Sequence, residues 1–192
     1  MKKWALYPVK YKTKKWRKPL FFCSKEIMRF YTVKNEYIAH LRGVDKNVPE
    51  NYGGKRPYVG VVIEINGCKY LAPLTSYKPK QDGFKNSPAI MKLHERGNPA
   101  NKLGMIQLSN MIPVTDDVVV ELDLTKEDPK YQRMLQKQLE FIKTQRDEIV
   151  DKTTKLYKLV CTDKNPFYVK LSCDFANLET ALQEYVRPSD RN

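Results

Sequence analysis

Histidine is nearly absent from this chain of 192 residues: His40 and His94 are the only two, 54 positions apart. Chemistry that needs a pair of imidazoles must therefore use both. Cysteine is sparse as well. Cys23, Cys68, Cys161 and Cys173 form no C-x-x-C pair and have no histidine nearby, which argues against a zinc site. Scattered cysteines without a secretory leader read as the reduced thiols of a cytoplasm. No apolar run approaches the roughly 18 residues of a membrane span, and no hydrophobic leader core follows the basic N-terminus. G-x-x-x-x-G-K-[ST], G-x-G-x-x-G and H-E-x-x-H are all missing, so nucleotide-motor, dinucleotide and metalloprotease readings have no motif behind them. The expectation is a soluble, unexported, cytoplasmic protein with no cofactor and no metal.

Positive charge is what the chain has in excess. Thirty-five Lys and Arg against 22 Asp and Glu give +13, which favours a polyanionic partner. The excess is uneven. Residues 1–27 carry nine bases and one acid, residues 28–92 eleven and five, and residues 93–192 fifteen and sixteen. The C-terminal half is thus a neutral scaffold, and the basic surface belongs to the N-terminal half. Residues 1–27 also hold both tryptophans, Trp4 and Trp16, and aromatics among cations suit single-stranded nucleic acid. Met28 opens a domain-like start, however, so residues 1–27 are read as a basic extension and 28–192 as one domain. A membrane-surface role for the extension lacks an apolar face and a lipid signal.

Residues 35–42 predict a short helix with Gly43 as its stop. Residues 44–56, broken by Pro49 and Gly53-Gly54, predict a loop. The β-branched run 58–65, Asn66-Gly67, and residues 68–74 predict a hairpin around a type I′ turn. Pro73 and Pro79 bracket residues 74–78, so regular pairing should end there, with the hydroxyls of Thr75 and Ser76 at an exposed strand end. Residues 89–93, 104–108, 111–114 and 118–124 predict further short strands. Asp128-Pro129 reads as a helix N-cap and first turn. Leu135, Ile142, Ile149 and Leu156 then recur every seven residues, one long helix or a helical pair packed across the chain's own sheet. A last short helix spans 174–185. Strands first and helices after them make the fold α+β with an antiparallel sheet.

Metal-free cleavage of RNA sets definite demands. The 2′-hydroxyl attacks the adjacent phosphorus and the 5′-oxygen leaves. A site must position the nucleophile, accept its proton, stabilise a dianionic phosphorane and assist the leaving oxygen. Preorganised donors at the phosphate contribute roughly 3–4 kcal/mol each where water is excluded. Residues 75–80 supply two aliphatic hydroxyls and two ammoniums beside the hairpin, and the loop carrying Tyr52, Lys55 and Arg56 precedes its first strand. Spacing alone is weak here, since hydroxyl-plus-lysine turns are common at strand ends. His40 reads as a helix-face or solvated residue, and His94, in Lys92-Leu93-His94-Glu95-Arg96, reads as structural.

Many ordered segments sharpen this. They include Arg29-Phe30-Tyr31-Thr32-Val33, Asp45-Lys46-Asn47-Val48-Pro49, Arg56-Pro57-Tyr58-Val59-Gly60 and Gly67-Cys68-Lys69-Tyr70-Leu71-Ala72-Pro73-Leu74-Thr75-Ser76. Asn101-Lys102-Leu103-Gly104, Asn110-Met111-Ile112-Pro113, Tyr131-Gln132-Arg133-Met134-Leu135 and Cys173-Asp174-Phe175 complete them. Together, over about residues 28–186, the chain resembles the ToxN/AbiQ family, toxins of type III toxin–antitoxin systems. The resemblance implies a strongly twisted antiparallel sheet with barrel-like character and surrounding helices, similar to the Kid/MazF toxins. It implies a metal-independent endoribonuclease that leaves a 2′,3′-cyclic phosphate and a 5′-hydroxyl, acting on mRNA and on its own repeated antitoxin RNA. The processed, pseudoknotted product would then inhibit the toxin in a closed ring-like assembly such as a 3:3 heterohexamer. The implied role is phage defence by abortive infection, or locus maintenance.

The family's Thr-Ser-x-Lys segment falls on Thr75, Ser76 and Lys78, its upstream tyrosine on Tyr52 and its upstream cation on Arg56, with Lys55 adjacent as the alternative. Between Ser76 and Lys78, where relatives often carry proline, stands Tyr77, which could stack on a base. In the expected roles Thr75 and Ser76 hold the phosphate, Lys78 and Arg56 neutralise the phosphorane, and Tyr52 or a lysine moves protons. Lys34, Lys46, Lys55, Tyr77, Lys80, Lys85 and His94 are the candidate RNA-contacting residues; no DNA or membrane partner is expected. The competing class is a non-catalytic basic RNA-binding protein.

Overall fold

In a computed structural model, which describes residues 28–65 and 67–185, the hairpin organises everything else. Strand β2 (Tyr58–Ile65) pairs antiparallel with β3 (Cys68–Ser76), from Tyr58 opposite Pro73 to Ile65 opposite Cys68. Gly67 turns the chain at φ +78°; its partner in the expected turn, Asn66, lies outside the described residues. The other edge of β3 is shared by two strands in succession. Residues Lys69, Tyr70 and Leu71 pair with β6 (Ile112–Val114), and Leu74, Thr75 and Ser76 with β5 (Asn98–Gln107).

Pairing is expected from the sequence to end at Pro73, and it does not. The Leu74 N–H bonds to the Pro57 carbonyl, 3.0 Å away on the β2 side. Backbone groups alternate sides along a strand, so the nitrogen of Pro73 faces the opposite edge. By the register that sets Leu74 opposite Ile106, it stands there across from Gln107, the last residue of β5, so at most the end bond of that ladder is lost. Thr75 and Ser76 are therefore the last two residues of a paired strand.

Strands β4 (Ile90–Glu95), β1 (Phe30–Val33) and β7 (Val119–Glu121) complete the sheet. Among the described residues it has seven strands, ordered β4-β5-β3-β2-β1-β7 with β6 also on β3, and every pairing is antiparallel. The path is open, with β4 and β7 at its edges, so the sheet is not a closed barrel.

Helix α1 (Asn35–Val44) passes through Gly43 rather than stopping there, and ends on extended Asp45. The heptad resolves into a pair, α2 (Pro129–Thr144) and α3 (Arg146–Tyr157), separated at Gln145. Asp128 caps α2 as expected, accepting from the N–H groups of Lys130 and Tyr131. Leu135, Ile142, Ile149 and Leu156 are all fully buried, with α2 packed on β4 and α3 on β2. Apart from short 3-10 turns, three elements have no counterpart in the sequence reading: strand β1, a π-helical turn (Lys158–Thr162) and α4 (Pro166–Leu171). Helix α5 (Phe175–Glu184), capped by Asp174, covers β6 and α1. His40 joins α1 to α5: its Nε2 lies 3.0 Å from the Ala181 carbonyl and its ring lies against Tyr185. Among the described residues no helix is long and apolar enough to cross a membrane.

Candidate active site

The two sequence segments that carry the candidate chemistry meet at the end of β3. Pro57 stands opposite Leu74 and accepts its N–H but, as a proline, has no N–H to give back, so the Leu74 carbonyl has no strand partner. Arg56 takes the place of one. Its Nη1 approaches the Leu74 oxygen at 3.5 Å while its Nε donates to the Glu50 carbonyl at 2.6 Å. Arg56 is 8% exposed, and the Tyr52 ring lies over its guanidinium at 4.7 Å. Tyr52 is 64% exposed and sits at φ +48°, ahead of Gly53 at +67° and Gly54 at +82°. A buried cation thus holds the loop to the strand and carries an exposed phenol on its face.

Asn51 anchors the other end of that loop. Its Nδ2 donates to the Val33 carbonyl and to Asn35 Oδ1, both at 2.7 Å, and its carbonyl accepts from the N–H groups of Gly54, Lys55 and Arg56. Nothing in the sequence pattern singles Asn51 out. A polar residue between Pro49 and Gly53 reads as solvated, yet it is 5% exposed.

Along β3, Thr75 is half-buried with its Oγ1 3.4 Å from the Met105 carbonyl, and Ser76 and Lys78 are exposed. Opposite Ser76 stands Gly104 at φ +129°, where a Cβ would lie 2.1 Å from the Thr75 carbonyl oxygen. Only glycine permits this close approach. The 3-10 turn Pro79–Gly83 then folds back on the segment. Gln81 Nε2 donates to the Ser76 carbonyl at 3.0 Å, and Tyr77 Oη to Asp82 Oδ2 at 2.9 Å. Lys102 pairs with the same carboxylate at 2.7 Å and lies 5.4 Å over the Tyr77 ring. The hydrogen bond from Lys102, followed by that from Tyr77, holds the Asp82 carboxyl below its ordinary range, and Asp82 in turn raises Lys102.

The remaining candidates divide. Lys34 precedes α1 between Val33 and Asn35, the two residues gripped by Asn51, and lies exposed beside the loop. Lys55, Lys80 and Lys85 are exposed in or next to the two segments. Lys46 is exposed at the far end of α1, ten residues and roughly 15 Å away. His94 is half-buried with its ring edge on Phe141 at 4.3 Å and its Nδ1 3.1 Å from the Glu95 carbonyl. Sequence reasoning misses Gly104, Asn51, Gln81, Asp82 and Lys102 as site residues. A cavity of about 410 Å³ lies elsewhere, at the β1–β7 edge, where Arg29 and Glu121 of its lining pair with each other at 2.5 Å.

Residues 29–183 match the family described as Toxin ToxN, type III toxin-antitoxin system. The chain belongs to the ToxN family. Endoribonuclease ToxN of Pectobacterium atrosepticum is 38% identical over 169 residues, covering 85% of this chain and 96% of that protein. Endoribonuclease AbiQ of Lactococcus lactis is 39% identical over 178 residues, covering 88% and 97%. Its solved structure, that of an anti-phage endoribonuclease of a type III system, covers 82% and 97% with a TM-score of 0.76. A further solved structure, of a type III system whose toxin is selectively inhibited by a non-coding RNA pseudoknot, is 36% identical. It covers 82% and 97% with a TM-score of 0.73. In this ToxN-family chain Tyr77, between Ser76 and Lys78, is engaged by both Asp82 and Lys102.

Proposed function

We propose that this chain is a metal-independent endoribonuclease toxin of a type III system, cleaving mRNA and its own repeated antitoxin RNA precursor. The observation that supports the reading is that Arg56, with Tyr52 against it, reaches the Leu74 carbonyl, next to the segment that carries Thr75, Ser76 and Lys78. Ser76 and Thr75 hold the scissile phosphate and orient the 2′-hydroxyl. Lys78 neutralises the equatorial oxygens as the phosphorane forms. Arg56, bound through Nε to Glu50, acts from beneath Tyr52, whose hydroxyl moves the proton. Exposed Lys55 is the neighbouring cation that shares the phosphate. Lys34, Lys80, Lys85 and Tyr77 extend RNA contact from this point, with His94 and Lys46 at its margins. The products are a 2′,3′-cyclic phosphate and a 5′-hydroxyl.

The reading includes a partner. The processed pseudoknotted antitoxin RNA occupies the same basic surface and inhibits the toxin in a closed ring-like assembly such as a 3:3 heterohexamer. Residues 28–192 act as one domain and residues 1–27 as a basic extension. The sheet has the Kid/MazF-like twist, and the protein works in the cytoplasm in phage defence.

The test is cleavage of A-rich RNA in EDTA by wild type, Ser76→Ala and Lys78→Ala, with the product ends analysed. Wild type alone should cut at full rate and leave cyclic phosphate, each variant losing at least about 100-fold. Tight, salt-sensitive binding without cleavage by folded wild type would make this a non-catalytic RNA-binding protein instead. Normal cleavage by folded Ser76→Ala would remove that hydroxyl from the site.

A further inference from the structure

Residues Ser76, Tyr77 and Lys78 are each bonded by the same short turn. Gln81 Nε2 donates to the Ser76 carbonyl at 3.0 Å, Asp82 accepts from the Tyr77 hydroxyl at 2.9 Å, and the Gln81 N–H donates to the Lys78 carbonyl at 2.9 Å. The first of these bonds has a topological cause. Ser76 lies two residues after Leu74, so by strand alternation its carbonyl faces the side where β2 has already ended. Leu74 recovers a partner from Arg56; Ser76 recovers one from Gln81. Gln81 is 4% exposed in a turn whose neighbours Lys80, Asp82 and Gly83 are all exposed. A buried amide is costly without its bonds, so its place here is set by them.

We propose that Gln81 and Asp82 are positioning residues for the reaction, fixing Ser76 and Lys78 in the orientation that the phosphorane requires. The inference rests on the endoribonuclease reading above. Gln81 fixes the peptide plane after Ser76 and, through its own N–H, the one after Lys78. Asp82 holds Tyr77 between them and is itself held by Lys102 Nζ on its carboxylate and Lys92 Nζ on its carbonyl, at 2.7 and 3.1 Å. On the other edge Gly104 of β5 lies directly against Thr75 and Ser76. The segment is thus gripped from both sides, with the Ser76 and Lys78 side chains left exposed, which is what a preorganised site needs.

The test uses the full chain and a synthetic RNA containing a site that wild type cuts. Gln81→Met keeps the length and loses the amide donor; Asp82→Asn alters the exposed half of the brace and leaves the buried half alone. Three quantities are read: kcat, KM, and binding of the same RNA carrying a 2′-deoxy nucleotide at the scissile position. Gln81→Met should lower kcat by about 10–100-fold, the cost of misplacing a reacting group by a fraction of an ångström to an ångström. KM and binding of the uncleavable RNA should stay near wild type. Asp82→Asn should lower kcat in the same direction and by less, again without loss of binding. A loss that sits in KM, or that only follows the unfolded fraction in thermal melts, overturns the inference. Should Gln81→Met fail to fold, the kcat of Asp82→Asn decides, a wild-type value refuting the brace. Active wild type and silent Ser76→Ala beside a fully active Gln81→Met would sink this inference alone. Inactive wild type would sink the endoribonuclease reading and this inference with it.

Discussion

Gly104 shows how much one missing side chain can fix. Its φ of +129° is available to glycine, and its bare Cα lets the Thr75 carbonyl approach to where a Cβ would stand. Gly104→Ala should cost roughly 1–3 kcal/mol in backbone strain, with the contact to Thr75 adding to it. The variant should also cleave RNA more slowly than its folded fraction predicts, because the displaced residues are Thr75 and Ser76. Gly43→Ala is the control: its Cβ meets nothing within 4 Å, and in helix α1 it should be neutral or stabilising by up to about 1 kcal/mol. Urea midpoints and single-turnover cleavage of the two variants separate these outcomes. Thr75, Ser76 and Lys78 are legible in the sequence as a motif. Gly104 is legible only as part of a strand segment, because nothing in a single chain says which carbonyl will lie across from it.

At the scale of elements, caps and periodicity carry most of the information. Asp128 before Pro129 fixes the start of α2, since a side-chain acceptor there satisfies N–H groups that the helix itself cannot. The seven-residue recurrence fixes the buried stripe of α2 and α3. It does not fix the break at Gln145, because the stripe continues in register across it. Asp128→Ala should cost about 1 kcal/mol, and Ile142→Ala about 2–5 kcal/mol for the cavity it opens. Both residues are remote from the Thr75–Lys78 segment in the chain. Urea unfolding should therefore register the losses while kcat of the folded fraction stays unchanged. The length of β3 escapes the sequence reading for a different reason. Proline costs a ladder little where its missing N–H falls at the ladder's end, and Pro73 stands across from Gln107, the last residue of β5.

For the whole molecule, protonation sets the stability window. Burial, the largest cause, pushes the Cys161 thiol up from 9.0 to about 11, and burial likewise raises Tyr37, Tyr58, Tyr70 and Tyr157. Below pH 9 folded and unfolded chains both keep these protons, so they leave stability unchanged there. As pH rises from 9 towards 11 the unfolded chain releases them first, and stability falls. On the acid side Asp82, Glu95 and Asp123 are held low, chiefly by side-chain hydrogen bonds from Lys102, Lys137 and Thr125 respectively. Their contribution is complete above their ordinary values of 3.8, 4.5 and 3.8 and is lost as pH falls through the lowered folded ones. These groups are exposed, so the acid decline should be shallow. A Tm profile should be flat from about pH 5 to 9 and drop on the alkaline side; a flat profile to pH 11 would contradict the burial of these groups. The +13 charge makes a separate prediction, that RNA affinity falls log-linearly with salt as counterions are released.

The sequence by itself determined the chemistry on offer and the kinds of element: a basic chain without an imidazole pair, a hydroxyl–lysine segment after a hairpin, capped amphipathic helices, an antiparallel α+β fold. These are local properties, read from composition, alternation and caps over a few residues. Tertiary structure alone decided who stands beside whom. Arg56 meets Leu74 because Pro57, across from it, has no N–H to give, and Gln81 meets Ser76 because the same edge stays open further on. Such pairings depend on register between segments distant in the chain, and a one-residue shift would send every one of these carbonyls to the other side.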